Sequence, residues 1–152
     1  MLIDMIQERR FQEMMESHIK SVLSYLLENE QQFGLLCNLK YVAFDPILPE
    51  DISELLQDIT LFMIAGYTLE SFEIEDEMIS FEAGFGSQNF GSVVSMPTLA
   101  ILRITVEETP ILSNMAQPIA NFKSEEQDLG IKSSLENFLN NPENRKFLKK
   151  RK

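Results

Sequence analysis

Few residues in this chain have the type and spacing that catalysis or metal binding would need. His18 is its only histidine and Cys37 its only cysteine, so any Ser-His-Asp or Cys-His constellation must be built on one or both. His18 falls inside a helical pattern beside Glu16, which suits a helix-face residue and supplies no triad. Cys37 sits in an apolar, β-compatible run, where a thiol acts as a small hydrophobe. A single cysteine closes no intramolecular disulfide, and Cys37 lacks the companion Cys or His residues of a zinc site. The carboxylates Glu70, Glu73, Glu75, Asp76, Glu77 and Glu82 would suit a hard cation, but their spacing is not that of a calcium loop. They alternate with Phe72, Ile74 and Phe81, which makes them the wet side of two strands. Gly84-Phe85-Gly86-Ser87 and Gly91-Ser92 lack the Gly-Lys-Ser/Thr signature and the following helix of a phosphate cradle. Glycines at a strand end instead permit a sharp bend or the close approach of another backbone. The expectation is a protein that is not an enzyme and holds no cofactor or metal.

The elements that carry these residues are a helix followed by strands. From Ile6 to Glu30, Phe11, Met14, Met15, His18 or Ile19, Val22, Leu23, Leu26 and Leu27 recur near a 3.6-residue period, predicting one long amphipathic helix or two in succession, ended by Gly34. Leu35–Phe44 reads as a strand, and Ile52–Leu56 as a single helical turn after Asp45-Pro46 and Pro49-Glu50. Ile59–Ala65, Thr68–Glu75, Met78–Phe85, Ser92–Met96 and Ala100–Val106 read as further short strands, with turns at Gly66, Asp76-Glu77, Gly86–Gly91 and Pro97. The predicted fold class is α+β and mostly β, an N-terminal helix before a small, strongly bent antiparallel sheet or partly open barrel.

Charge divides the chain. Its 152 residues carry a formal charge of −11. Residues 123–152 hold eight basic and five acidic residues, +3, which leaves five basic and nineteen acidic residues, −14, on residues 1–122. A domain at 1–122 and a flexible tail at 123–152 are therefore expected. The tail closes on Arg145-Lys146-Phe147-Leu148-Lys149-Lys150-Arg151-Lys152, and Leu135, Phe138 and Leu139 ahead of it could form a marginal helix. At 44% hydrophobic and 24% charged the body belongs to the globular class, which excludes disorder throughout. Nucleic-acid binding through a basic surface is disfavoured. Met1–Gln7 is too short for a secretory signal, and no apolar run approaches the roughly 18 residues that span a bilayer, so a soluble, cytoplasmic protein is expected.

One order of motifs runs through the body: Ile64-Ala65, Phe72-Glu73-Ile74, Asp76 or Glu77, Ile79, Phe81, Ala83, Phe85-Gly86, then Val94-Ser95-Met96-Pro97 and Leu99–Ile104. Together with Tyr25-Leu26-Leu27-Glu28-Asn29 and Leu35–Phe44, this order resembles the stringent starvation protein B (SspB) family, adaptors that deliver tagged proteins to the ClpXP protease. The resemblance extends from about Ser17 to Val106, each motif being weak alone and the order moderately specific. Ser87 replaces the second glycine of the family's Phe-Gly-Gly turn, the loop before Val94 is longer, and an extension precedes the shared helix.

The resemblance implies a barrel-like domain behind a helix that pairs two subunits, a groove for an unstructured peptide such as the ssrA tag, and a tail that docks on ClpX. On this chain the groove would use Met63, Ala65, Gly66, Tyr67, Phe81, Ala83, Phe85, Ser87, Val94 and Met96. The homodimer helix would use Met15, Ile19, Val22 and Leu26, and the tail would dock through Phe147, Leu148, Lys149 and Lys150. The residues make each part reasonable, since a surplus of apolar positions on the helix can be buried by a symmetric partner. Packing of that helix on its own sheet explains the same surplus, and tight sheet packing explains the small residues. Two apolar residues among six basic ones can enter a partner's pocket while charge steers the encounter. The alternative function is a stand-alone peptide-binding chaperone, or an assembly subunit of the same fold without ClpX.

Overall fold

Two helices open the chain, α1 at Leu2–Ile6 and α2 at Arg9–Glu28, separated by a break in which Glu8 takes an extended conformation. The computed structural model describes residues 2–118, all within the first of the two units into which the chain divides, Met1–Ile119. Gly34 does not end α2. The terminator is Glu30, at a φ of 52°, whose N–H donates to Leu27 O while Gln31 N–H donates to Leu26 O. These two bonds satisfy carbonyls that the last helical turn would otherwise leave open. Asn29 adds a side-chain bond from Nδ2 to Tyr25 O at 2.8 Å.

After α2 come β1 (Phe33–Asn38), β2 (Ala43–Asp45), α3 (Glu50–Ser53), β3 (Ile59–Ile64), α4 (Tyr67–Glu70), β4 (Glu73–Glu75), β5 (Met78–Phe85), β6 (Phe90–Pro97), β7 (Ile101–Val106) and β8 (Thr109–Ser113). The fold is α+β with strands dominating, and the strands form two antiparallel four-stranded sheets, in the orders β3-β1-β7-β8 and β2-β6-β5-β4. The chain crosses between sheets four times: at a 3-10 turn over Leu39–Tyr41, through α3, through α4, and at a 3-10 turn over Thr98–Ala100. The run Leu35–Phe44 is thus two strands in two sheets. Asn38 Oδ1 accepts from Lys40 N and turns the backbone, just after Leu39 N–H makes a last in-register bond of the β1–β3 ladder to Asp58 O. The predicted strand Thr68–Glu75 resolves into α4 and the short β4. Thr109–Ser113 forms a strand that the sequence reading passed over.

The core lies between the sheets and under α2. Ile19, Leu23 and Leu26 are buried on it together with Phe33, Leu35, Ile64, Ile79, Phe81, Val94, Met96 and Ile104. Each such side chain contributes about 1.5–3 kcal/mol by leaving water. One buried polar residue ties the crossing into β7 to the chain after β8. Asn114 Nδ2 donates to the carbonyls of Ile101 at 2.9 Å, Ala116 at 3.1 Å and Leu99 at 3.3 Å, and its Oδ1 accepts from Ala116 N–H at 2.8 Å. Among the described residues, no helix is long and apolar enough to cross a membrane.

Candidate functional site

The strand β5 shows where the sandwich opens. Ile79 and Phe81 point inward and are buried, whereas Ala83 and Phe85, next on the same face, are only half-buried. The two sheets therefore stop covering each other beyond Phe81. Six phenylalanines mark the path from core to opening through successive ring contacts. Phe33 meets Phe72 edge-on at 5.6 Å, Phe72 stacks on Phe81 at 5.6 Å, and Phe81 meets Phe62 at 5.6 Å. Phe62 then meets Phe85 at 6.4 Å, and Phe85 meets Phe44 at 5.7 Å. Such pairs hold rings in fixed mutual orientations, so the apolar floor at the open end is continuous with the core.

Backbone groups are open at the same place. The strand β4 pairs only with Met78–Ser80, so past Ser80 the strand β5 keeps β6 on one side and has no strand partner on the other. On that open side Ser71 Oγ accepts from Glu82 N–H at 2.8 Å. Residues two apart in a strand present their polar groups to the same side, so Gly84 faces the opening as well. The outer face of Gly84, where a Cβ would point, is covered, because that Cβ would run into the side chain of Asn89.

The walls are two single helical turns. Gly66, at φ 58° and ψ −133°, turns the chain from β3 into α4, a conformation that disfavours any residue with a Cβ. Tyr67, the first residue of α4, donates its hydroxyl to Glu82 Oε1 at 2.8 Å. That hydrogen bond, with the nearby charges of Glu82 and Glu70, pushes the Tyr67 phenol above its ordinary range. At the other end, Ile52 of α3 lies against Gly86 in the turn between β5 and β6.

The expected groove residues divide in the structure. Ala65, Ala83 and Phe85 are half-buried and Gly66, Tyr67 and Ser87 exposed, consistent with a lining or rim. Phe81, Val94 and Met96 are core residues, at 1%, 0% and 0% exposure, and cannot line a surface groove. Strand alternation places them on the inner face, where the sheets still cover each other. Met63 shares the outer face of β3 with Leu61, both side chains lying over Gly34, away from Phe62. Phe44 was missed, because the run Tyr41–Phe44 is apolar at every position and no alternation singles it out; Phe62, in ring contact with Phe85, is 5% exposed and belongs to the core.

The helix contacts need the same correction. Ile19 and Leu26 are 0% and 3% exposed because α2 packs on its own sheet, and they cannot meet a second subunit. Met15 and Val22 are half-buried at the margin, and beside them an exposed flank runs over Met14, His18 and Tyr25. Burial and the Glu77 carboxylate raise the Glu16 pKa, which Lys20 partly offsets. Cys37 is fully buried and its thiol is pushed up by burial, so it is no nucleophile in the folded chain. Phe147, Leu148, Lys149 and Lys150 lie outside the described residues.

No protein-family model matches this chain, and no curated protein shows significant similarity to it. The site is therefore read on its chemistry: an apolar floor, an unpaired strand side and polar walls, an arrangement that suits an extended chain better than a compact small molecule.

Proposed function

We propose that this chain is a peptide-binding adaptor that holds unstructured tags of the ssrA type and delivers tagged proteins to the ClpXP protease. The observation that carries the binding half is the open end of the sandwich, where half-exposed Ala83, Phe85 and Phe44 sit beside a stretch of β5 that has no strand partner on one side past Ser80, Ser71 meeting it there only at Glu82. An extended peptide adds there as a strand, its backbone paired along Gly84 and its apolar side chains resting on the phenylalanine floor. The delivery half rests on the resemblance and on the basic-apolar end of the tail. A peptide held by the body alone would be protected, and a second contact with the unfoldase raises the local concentration of cargo at the pore. Removing Arg145–Lys152 is expected to leave peptide affinity within about twofold and to abolish stimulation of degradation of a tagged substrate at low concentration. Degradation assays with full-length and truncated adaptor check this. Equal stimulation by both would remove the tail from the mechanism, and stimulation by neither would favour the stand-alone chaperone.

The adaptor also works as a homodimer in this reading, with the α2 flank of Met14, Met15, His18, Val22 and Tyr25 as the shared surface. Tyr25 and Met14 are 64% and 59% exposed, large apolar side chains on one flank of a helix whose other side is already packed. Light scattering at high micromolar concentration is expected to return twice the chain mass, and Met14→Glu with Tyr25→Glu the single mass. A monomer for the unchanged chain would sink the dimer.

A further inference from the structure

Every element that builds the groove is free of positive charge. From Tyr41 to Leu102 the sequence contains no Lys, Arg or His and eleven Asp or Glu. That stretch includes β2 and Phe44, α3, β3, α4, β4, β5 and β6, hence the floor and both walls. The cations of the described residues sit elsewhere: Arg9, Arg10 and Lys20 on α2, Lys40 over the Tyr41 ring, and Arg103 on β7, which β1 separates from β3. The carboxylates are also placed at the groove. Glu82, on the outer face of β5 from Ala83 and Phe85, accepts the Tyr67 hydroxyl at the rim, and Glu70 follows on the same helical turn as Tyr67. At the other wall Glu50 and Asp51 belong to the turn whose Ile52 lies against Gly86.

We infer that the groove selects extended peptides whose apolar residues are flanked by Lys or Arg and discriminates against those flanked by Asp or Glu. The inference rests on the peptide-groove reading and narrows it to one class of tag. An apolar floor binds alanine and leucine side chains with little regard to sequence. The discrimination therefore falls to the rim, where a flanking cation meets Glu70 and Glu82 and a flanking carboxylate meets like charge with no cation among the described residues from Tyr41 to Leu102 to offset it.

Three labelled peptides with one alanine-leucine core, flanked by Lys-Lys, Gln-Gln or Asp-Asp, are titrated into the full chain by fluorescence anisotropy. The Lys-flanked peptide is expected to bind about tenfold tighter than the Asp-flanked one at roughly 50 mM salt, with the ratio shrinking severalfold near 500 mM. Glu70→Lys and Glu82→Lys, each separately, should reduce or invert that ratio. Glu28→Lys at the end of α2 changes total charge equally and should leave it unchanged. The Gln-flanked peptide reports the groove itself. If it binds while the Asp-flanked peptide matches the Lys-flanked one, or while both groove reversals leave the ratio unchanged, the charge selection is overturned and the groove stands. If none of the three binds, the groove reading falls and the selection with it.

Discussion

Asn114→Asp, which exchanges an amide NH2 for an oxygen, is expected to destabilise the fold by roughly 3 kcal/mol or more at neutral pH, lowering the melting temperature by about 12 °C. Asn114 is 4% exposed, and its Nδ2 faces the carbonyls of Leu99, Ile101 and Ala116. A carboxylate in its place would lose these bonds and set a buried negative charge against three carbonyl oxygens. The penalty carries a pH signature. Burial beside acceptors raises the folded-state pKa of the introduced carboxyl above its unfolded value near 4, and the protonated form can still donate one hydrogen bond. The deficit is therefore smallest below about pH 4 and grows to its full value as pH rises through the folded pKa. Asn114→Ala should destabilise by a similar amount without that pH dependence. Thermal melts of both variants from acid to neutral pH measure the contrast, and a pH-independent gap between them would show that the side chain is not held against those carbonyls.

The second large effect belongs to the groove. Ala83→Gln should reduce peptide affinity at least tenfold, about 1.4 kcal/mol, while leaving the melting temperature within a few degrees. Ala83 lies on the inner face of β5, between buried Phe81 and half-buried Phe85, at the point where the sheets part. A glutamine side chain there extends over the phenylalanine floor into the space a ligand would occupy. It meets solvent in the empty protein, which is why folding tolerates it. Titration of the neutral, Gln-flanked peptide and of an ssrA-type peptide into the folded variant provides the measurement. Unchanged affinity in a variant with a normal melt would move the peptide away from β5.

The sequence made the regular elements legible and hid the junctions between them. Met78–Phe85 was read to the residue because buried Ile79 and Phe81 alternate with exposed Glu82, and two-residue periodicity is the signal a half-buried strand emits. Leu35–Phe44 gave no such signal at the point where it changes sheets, since apolar residues occupy both faces before and after the Asn38 turn. The strand Thr109–Ser113 was lost because it is short and carries Pro110, which suits an edge strand. Much the same division holds at the site. Ala83 and Phe85 were found, but alternation reports only which way a side chain points, not whether a second sheet still lies above it. Phe81, Val94 and Met96 were placed in the groove for that reason, and Ile19 and Leu26 in a subunit contact, when the chain's own layers cover all five.

The lone cysteine gives the fold a built-in clock. Cys37 stands in β1, the strand between β3 and β7, at 0% exposure and with its thiol held in the neutral form by burial. The chain has no other thiol to react and no tryptophan to follow. An alkylating reagent can therefore reach sulfur only during an excursion that parts sheet from sheet, and the rate of adduct formation counts those excursions. Any ligand that grips only the closed molecule slows that count by the factor one plus its concentration over Kd. Mass spectrometry of the native chain thus reads occupancy at the open end from a sulfur atom buried in the core, with no label added to protein or ligand.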